Sequence, residues 1–329
     1  LKILLVRVSS LGDVLHNLPV VADILRRHPG AKIDWVVEES YVSLVRLNPH
    51  VRKVIPFGLR RWRKNLGQPA VRAEVRAFFR DLRADEYDYV FDTQGLIKTG
   101  AIMAAARVSP RGEKVGMANG TEDSGYEGLS RIFHTRSVPV PLRTHAVARG
   151  RLVVAEALDY RLGTPIEDPP DFGLAPPGPV RPAWMPAGDY AVFFHATARD
   201  AKKWAPANWI ALGRALAPLP VLLPWGSPRE KEEADQLAAG LPNAQVLPRL
   251  SMMDAVELAR RARLAVGVDT GLTHIAAAGG APTVEIYSDS PRWKTEGDWS
   301  PRILNLGDTG APPSLDEVLG AARRLLGQG

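Results

Sequence analysis

Short, almost continuously apolar runs alternate along this chain with segments whose apolar residues recur every three or four positions. In the first half the runs are LKILLVRV, IDWVVE, KVIPF and YDYVFD, and the periodic segments are VLHNLPVVADILRRH, AVRAEVRAFFRDLRA and LIKTGAIMAAAR. The second half repeats the alternation with runs at YAVFFHA, PVLLPW, AQVLP, LAVGVD and PTVEIY, and periodic segments at PANWIALGRALA, PREKEEADQLAAG, MMDAVELARRAR and THIAAAGG. Apolar runs without alternation read as strands buried on both faces, hence parallel strands, and the longer period reads as helices laid against them. The pattern predicts an α/β protein of two Rossmann-like, doubly wound parallel-sheet domains. Between them, residues 163–190 are rich in proline and carry neither period, which predicts an extended linker. The boundary is expected near residue 175, with one domain over 1–175 and the other over 176–329.

A length of 329 residues suits two domains of ordinary size. The chain is 45% apolar and 24% charged, as soluble proteins are, and holds no apolar run long enough to span a bilayer. It has no cysteine, and its first residues lack the pattern of a secretory signal, so a cytoplasmic location is expected.

Charge adds a distinction between the halves. The net charge is +6, but residues 1–165 hold 26 Lys and Arg against 17 Asp and Glu, whereas residues 166–329 hold 16 against 19. A surplus confined to one half implies an anionic partner for that half. Between Arg52 and Arg83, ten basic residues are opposed only by Glu74 and Asp81. Most such runs are solvated helix faces. Here, however, Arg60, Arg61, Arg63 and Lys64 surround Trp62 directly after the strand VIPF, where a loop is expected to gather cations around one ligand.

Parallel sheets bind ligands at the carboxyl ends of their strands, and two such domains facing each other would form a cleft. The candidate chemistry sits at those ends. Asp269, Thr270, Gly271 and His274 follow LAVGVD at a turn into a helix, where backbone N–H groups attract phosphate and His274 can donate a hydrogen bond to a diphosphate. A plain helix cap explains many D-T-G turns, but D-T-G-x-T-H-I-A-A-A is a longer pattern. Thr197, Lys202 and Lys203 follow YAVFFHA, and a lysine there can neutralise a departing nucleoside diphosphate. Glu230, after LPWGSP, sits in a helix's first turn, where acidic residues are favoured in any case; a carboxylate there can also bind ribose hydroxyls. In the first half, Ser10 and Asp13 follow LKILLVRV, and Asp92, Gln94, Gly95 and Lys98 follow YDYVFD. His145, between Arg143 and Arg149, reads first as a helix start. No D-x-D at a strand end and no cluster with metal-ligand spacing is found, so metal-independent chemistry is expected.

SSLGDVLHNLP, IDWVVEE, VIPFGLRRWRK, DTQGLIK, HATARDAKKW, LPWGSP and VDTGLTHIAAA, taken in this order across essentially the whole chain, resemble the ADP-heptose:lipopolysaccharide heptosyltransferases, a family of GT-B glycosyltransferases. The resemblance implies inverting transfer of L-glycero-D-manno-heptose from ADP-heptose to a Kdo residue of Kdo-lipid A, at the cytoplasmic face of the inner membrane of a Gram-negative bacterium. Peripheral contact with that anionic membrane surface is implied too, with no cofactor beyond the donor substrate and no nucleic-acid partner. By this resemblance Asp13 is the general base. Thr197, Ala198, Lys202, Glu230, Leu250, Asp269, Thr270, Gly271 and His274 would hold the donor. Ser10, Arg60, Arg61, Arg63, Lys64, Gln94, Lys98 and His145 would meet the acceptor. Ala198 departs from the family pattern, which tends to have a second Thr there, so only backbone contact remains at that position. The alternatives are a heptosyltransferase acting on a heptose-terminated acceptor and an epimerase or hydrolase of nucleotide sugars. Nucleic-acid binding would leave the D-T-G-x-T-H pattern unexplained.

Overall fold

The computed structural model describes residues 1–165, 167–178 and 181–327. It divides into two compact units, Leu1–Ala175 and Pro176–Gly329. The first runs β1 (Lys2–Val6), α1 (Leu11–His16), α2 (Pro19–Arg27), β2 (Lys32–Glu38), α3 (Val42–Val45), β3 (Val51–Phe57), α4 (Leu59–Asn65), α5 (Pro69–Leu82), β4 (Glu86–Asp92), α6 (Ile97–Ala105), β5 (Arg107–Met117), β6 (Arg136–Val138) and α7 (Ala146–Ala157). The second runs β7 (Ala191–Phe194), α8 (Pro206–Ala215), β8 (Val221–Leu223), α9 (Pro228–Ala239), β9 (Ala244–Val246), α10 (Met252–Arg261), β10 (Leu264–Val268), α11 (Gly271–Ala278), β11 (Thr283–Tyr287), β12 (Ile303–Gly307) and α12 (Leu315–Leu326).

Each unit holds one six-stranded parallel sheet. The orders are β3-β2-β1-β4-β5-β6 and β12-β11-β10-β7-β8-β9. Counted within its own unit, each is the order 3-2-1-4-5-6 of dinucleotide-binding sheets, so each has one place where consecutive crossovers diverge and leave a crevice at the strand ends. These places are β1 beside β4, and β7 beside β10. The strands there are the most apolar because helices cover both faces: Ile3 to Val6 of β1 and Leu264, Ala265, Val266 and Val268 of β10 are wholly buried.

The apolar pattern located nine of the twelve described strands, and β5, β6 and β12 escaped it. β5 carries RVSPRGEKVGM and is buried only over Val115–Met117, where it pairs with the short edge strand β6 (RSV), and β12 is an edge of the other sheet. Two expectations are corrected. The segment VLHNLPVVADILRRH is two helices, since Pro19, at the start of α2, has no N–H with which to continue α1. RRWRK is not a loop: it lies in α4, and Trp62 packs its buried ring against Phe57 and Phe78 at centroid distances of 5.5 Å each. That indole is core, with its Nε1–H donated to Glu74 at 3.2 Å.

Gly267, next to the last residue of β10, fixes how closely α11 can approach the sheet. A Cβ there would run into the Thr273 hydroxyl, which α11 holds against the Val268 carbonyl at 2.8 Å. Gly267→Ala is therefore expected to cost about 1–3 kcal/mol, the usual penalty for an over-packed core. Urea unfolding of the two proteins measures it, and an unchanged midpoint would show that α11 gives way freely.

Candidate functional site

In the first unit the chain leaves β1 through Arg7, Val8 and Ser9 and enters α1 at Ser10. Asp13 sits at the third helical position, where its Oδ2 accepts hydrogen bonds from the Ser10 N–H at 3.0 Å and the Ser10 hydroxyl at 2.9 Å. Its Oδ1 is paired with Arg7 Nη2 at 2.7 Å. Arg7 is buried and donates also to the Thr93 carbonyl at the end of β4, so it is braced across the two central strands. Burial alone would push the Asp13 carboxyl up. The Arg7 guanidinium and the Ser10 N–H overcome this and hold it well below the usual carboxylate range. Asp13 nevertheless keeps 36% of its side chain exposed, so an incoming group can reach it.

The turn after β4 supports the same place. Asp92 is buried and accepts from the Gln94 and Gly95 N–H groups and the Thr99 hydroxyl, at 2.9, 3.0 and 2.8 Å. That turn points the Gln94 amide oxygen at the N–H groups of Val8 and Ser9, at 2.9 and 3.4 Å. Gln94 Nε2 and Lys98 Nζ both donate to the Ser9 hydroxyl, at 3.3 and 3.4 Å. Ser10, Asp13, Gln94 and Lys98 thus form one cluster at the ends of β1 and β4, with Arg7 and Ser9 as members that sequence reasoning missed.

The remaining first-unit candidates lie apart from this network. Arg60 pairs with Glu38 at 3.3 Å, and Arg61 bridges Glu39 and Glu74 at 2.8 and 2.6 Å. Arg63 and Lys64 are exposed on α4. The four cations therefore decorate a helix beyond β3, and two of them already have carboxylate partners. His145 caps α7, its Nδ1 accepting from the Val147 N–H at 3.2 Å.

In the second unit, β10 is followed directly by Asp269, whose two oxygens are both engaged. Oδ2 accepts from Lys202 Nζ at 2.5 Å and the Ser290 hydroxyl at 2.6 Å; Oδ1 accepts from His274 Nε2 at 3.0 Å and the Thr295 hydroxyl at 3.4 Å. The other ring nitrogen, Nδ1, meets Glu285 Oε1 at 3.0 Å, while Glu285 Oε2 accepts from the Tyr287 hydroxyl at 2.9 Å. Lysine, carboxylate, imidazolium and carboxylate alternate in sign along this chain. Burial alone would strip the proton from His274, but Glu285 and Asp269 reverse the effect and push its pKa up to about 10. Both ring N–H groups point at carboxylates, so His274 orients Asp269 and Lys202 rather than offering a free donor to a diphosphate.

Thr270 stands at the N-cap of α11 with its side chain unused for capping. Its hydroxyl, together with the first N–H groups of α11, is left for an anion. Lys202, with 19% of its side chain exposed, borders the same turn through Asp269, and Thr197 and the exposed Ala198 lie in the loop leading to it from β7. Glu230 is the third residue of α9; its Oε2 accepts from the Gly226 and Ser227 N–H groups at 2.6 and 3.2 Å. Leu250 is half-buried just before the N-cap Ser251 of α10. Glu285, Ser290 and Thr295 were missed. Only Glu285 gave a signal, as a carboxylate inside the buried strand PTVEIY.

The raised pKa of His274 makes stability depend on pH. A group whose folded pKa lies above its ordinary 6.5 contributes fully below that value and loses its contribution as pH rises to about 10. The loss amounts to a few kcal/mol, on the order expected for a shift of this size. Denaturant titrations from pH 6 to 10 should show the wild type weakening more steeply than His274→Gln; parallel profiles would contradict the charged relay.

Comparison with known proteins identifies the family. The sequence profile of glycosyltransferase family 9 (heptosyltransferase) matches residues 75–318. Lipopolysaccharide heptosyltransferase 1 of Pseudomonas aeruginosa is 41% identical over 296 residues, spanning 87% of this chain and 78% of that protein. Its Escherichia coli K12 counterpart is 38% identical over 291 residues, spanning 87% and 88%. Among solved structures, E. coli heptosyltransferase WaaC with ADP superposes with a TM-score of 0.84 at 32% identity, covering 99% of this chain and 100% of that one. With a profile match over most of its length and relatives this similar, the chain belongs to glycosyltransferase family 9, the heptosyltransferases, and is an enzyme of the GT-B fold.

Proposed function

We propose that the protein transfers L-glycero-D-manno-heptose from ADP-heptose to a Kdo hydroxyl of Kdo-lipid A, with inversion at the anomeric carbon. The observation that carries this reading is the turn after β10, where the Lys202–Asp269–His274–Glu285 relay adjoins the open start of α11. A diphosphate suits that turn: N–H groups and the Thr270 hydroxyl meet its oxygens, and Lys202 balances the charge that grows as ADP departs. Glu230, with one oxygen bound to the backbone, offers the other to ribose hydroxyls, while Thr197, Ala198 and Leu250 border the nucleotide. The second unit is then the donor domain and the first the acceptor domain.

Asp13 is the general base of this reaction. A carboxylate whose pKa is held so low cannot remove a proton from a resting sugar hydroxyl. It accepts the proton only as the hydroxyl oxygen bonds to the anomeric carbon and the bond to ADP breaks, because the hydroxyl becomes strongly acidic at that moment. The proton goes to Asp13, the bonding electrons of the departing oxygen go to the diphosphate, and no covalent glycosyl-enzyme intermediate forms. Ser10, Gln94 and Lys98 hold the acceptor sugar beside the base. Arg60, Arg61, Arg63, Lys64 and His145 meet the more distant anionic groups of the lipid.

The cationic surplus of residues 1–165 fits a peripheral station on an anionic membrane surface on the cytoplasmic side, where each basic residue near the head groups contributes about 1 kcal/mol. Among the described residues, no helix is long and apolar enough to cross a membrane.

Two measurements test the assignment. With ADP-heptose and Kdo-lipid A, Asp13→Ala and Asp13→Asn should lower kcat by about 10²–10⁴-fold, the usual contribution of a positioned base, with little change in the KM for ADP-heptose. Near-normal turnover in either variant would remove Asp13 from this role. Removing Arg7 should let burial act on Asp13, so the acid limb of kcat should move toward neutral pH in Arg7→Gln, whereas the wild type should stay active down to about pH 5. An acid limb that does not move would mean that Arg7 does not set the basicity of Asp13.

A further inference from the structure

The acceptor unit contains three buried arginines, and among the described residues one of them, Arg149, has no ion-pair partner. Arg149 lies in the first turns of α7 with only 4% of its surface exposed. Its Nε is fully buried without a hydrogen-bond partner. Among the described residues Arg149 takes part in none of the ion pairs that the other buried arginines of this unit make: Arg7 has Asp13, and Arg151 has Asp23 at 2.7 Å. The charges that it feels most are those of Arg7, which opposes it, and Asp13, which attracts it. Burial and Arg7 together push its pKa down to about 10, which still leaves it charged at neutral pH.

Asp13 attracts Arg149 but is bound elsewhere in the structure, through Oδ1 to Arg7 and through Oδ2 to Ser10. Asp92 is satisfied by its own turn. The end of β1 therefore has Arg7 and Arg149 near the one carboxylate of Asp13, with Lys98 bound to the adjoining Ser9 at 3.4 Å. A buried charge without a counter-ion is strongly unfavourable, and folds keep such a group where a ligand supplies the counter-ion. Local packing holds Arg149 in place. α7 is pressed against the segment after α1 at Gly150, where a Cβ would strike the Asn17 amide, so the backbone beside Arg149 has little room to shift.

We propose that Arg149 is the anchor for the carboxylate of the acceptor sugar, and that this ion pair sets the accepting hydroxyl against Asp13. The inference rests on the heptosyl-transfer reading above and adds to it the group that recognises the sugar acid. A carboxylate is favoured over a phosphate because the anchor lies next to the base. The base must touch the accepting hydroxyl, and the anion nearest to that hydroxyl is the carboxylate of the same sugar, whereas the phosphates sit on the lipid's other sugars. The planar fork of arginine matches a carboxylate with two parallel N–H···O bonds, which also fixes the rotation of the ring.

The test is a cycle between residue and ligand. Wild type, Arg149→Met and Arg149→Lys are assayed with ADP-heptose and two acceptors: O-deacylated Kdo-lipid A, and the same molecule with its Kdo carboxylate converted to the carboxamide. In the wild type the carboxamide should lower kcat/KM at least tenfold. In Arg149→Met the acid and the amide should be used almost equally, and Arg149→Lys should restore part of the preference for the acid. The acid-to-amide ratio does not depend on how much of a variant is folded, and the KM for ADP-heptose should stay within about twofold throughout because the donor site is untouched. If Arg149→Met prefers the acid over the amide as strongly as the wild type does, Arg149 is not the anchor. Should Arg149→Met fail to fold, the wild type decides, since equal use of the acid and the amide overturns the proposal without any variant. Absence of turnover by the wild type on either acceptor would count against the heptosyl-transfer reading itself.

Discussion

Strands covered by helices on both faces have no room for polar side chains along their length, and this constraint shapes both units. Chemistry is pushed to the carboxyl ends of the strands, and it concentrates where neighbouring crossovers diverge. In the first unit that place is β1 beside β4, which delivers Arg7, Ser9, Ser10 and Asp13 from one strand and Gln94 and Lys98 from the other. In the second unit β7 and β10 deliver Lys202 and Asp269 in the same fashion. The same topology, used twice in unrelated sequence, produces two polar clusters of different character.

The difference lies in how charge is balanced. In the second unit the buried charges alternate and close on themselves, from Lys202 through Asp269 and His274 to Glu285, so the relay is rigid and nearly neutral. The first unit leaves positive charge over. At the site that surplus comes from Arg149 and Lys98, since Arg7 is answered by Asp13, and it is distinct from the exposed cations of α4, whose Arg60 and Arg61 are answered by Glu38, Glu39 and Glu74. A net charge summed over half a chain does not separate these two kinds of cation; burial does.

The central strands were legible because their apolar runs are unbroken, and so were the turns that follow them, because short polar residues and glycine interrupt those runs abruptly. β6 and β12 were not, since an edge strand need not be apolar on both faces, nor was β5, whose first eight residues are exposed or half-buried. RRWRK misled for a physical reason: cations around an indole read as a ligand loop, yet Trp62 fills the core and its neighbours reach solvent from a helix. Arg7 and Glu285 stood in the sequence as single charges within strand-like apolar runs. The sequence alone could not say that one would brace Asp13 and the other would complete the His274 relay, because both contacts join different strands or the turns beyond them.

Asp269 shows how a fold can make a carboxylate chemically quiet. Each of its oxygens accepts two hydrogen bonds, from Lys202 and Ser290 on one side and from His274 and Thr295 on the other. Lone pairs tied up in this way have little nucleophilicity left. An electron-poor sugar carbon generated near such a group would find no competent trap in it. In the proposed reaction, that passivity would protect the activated sugar from capture by the enzyme and leave it for the acceptor.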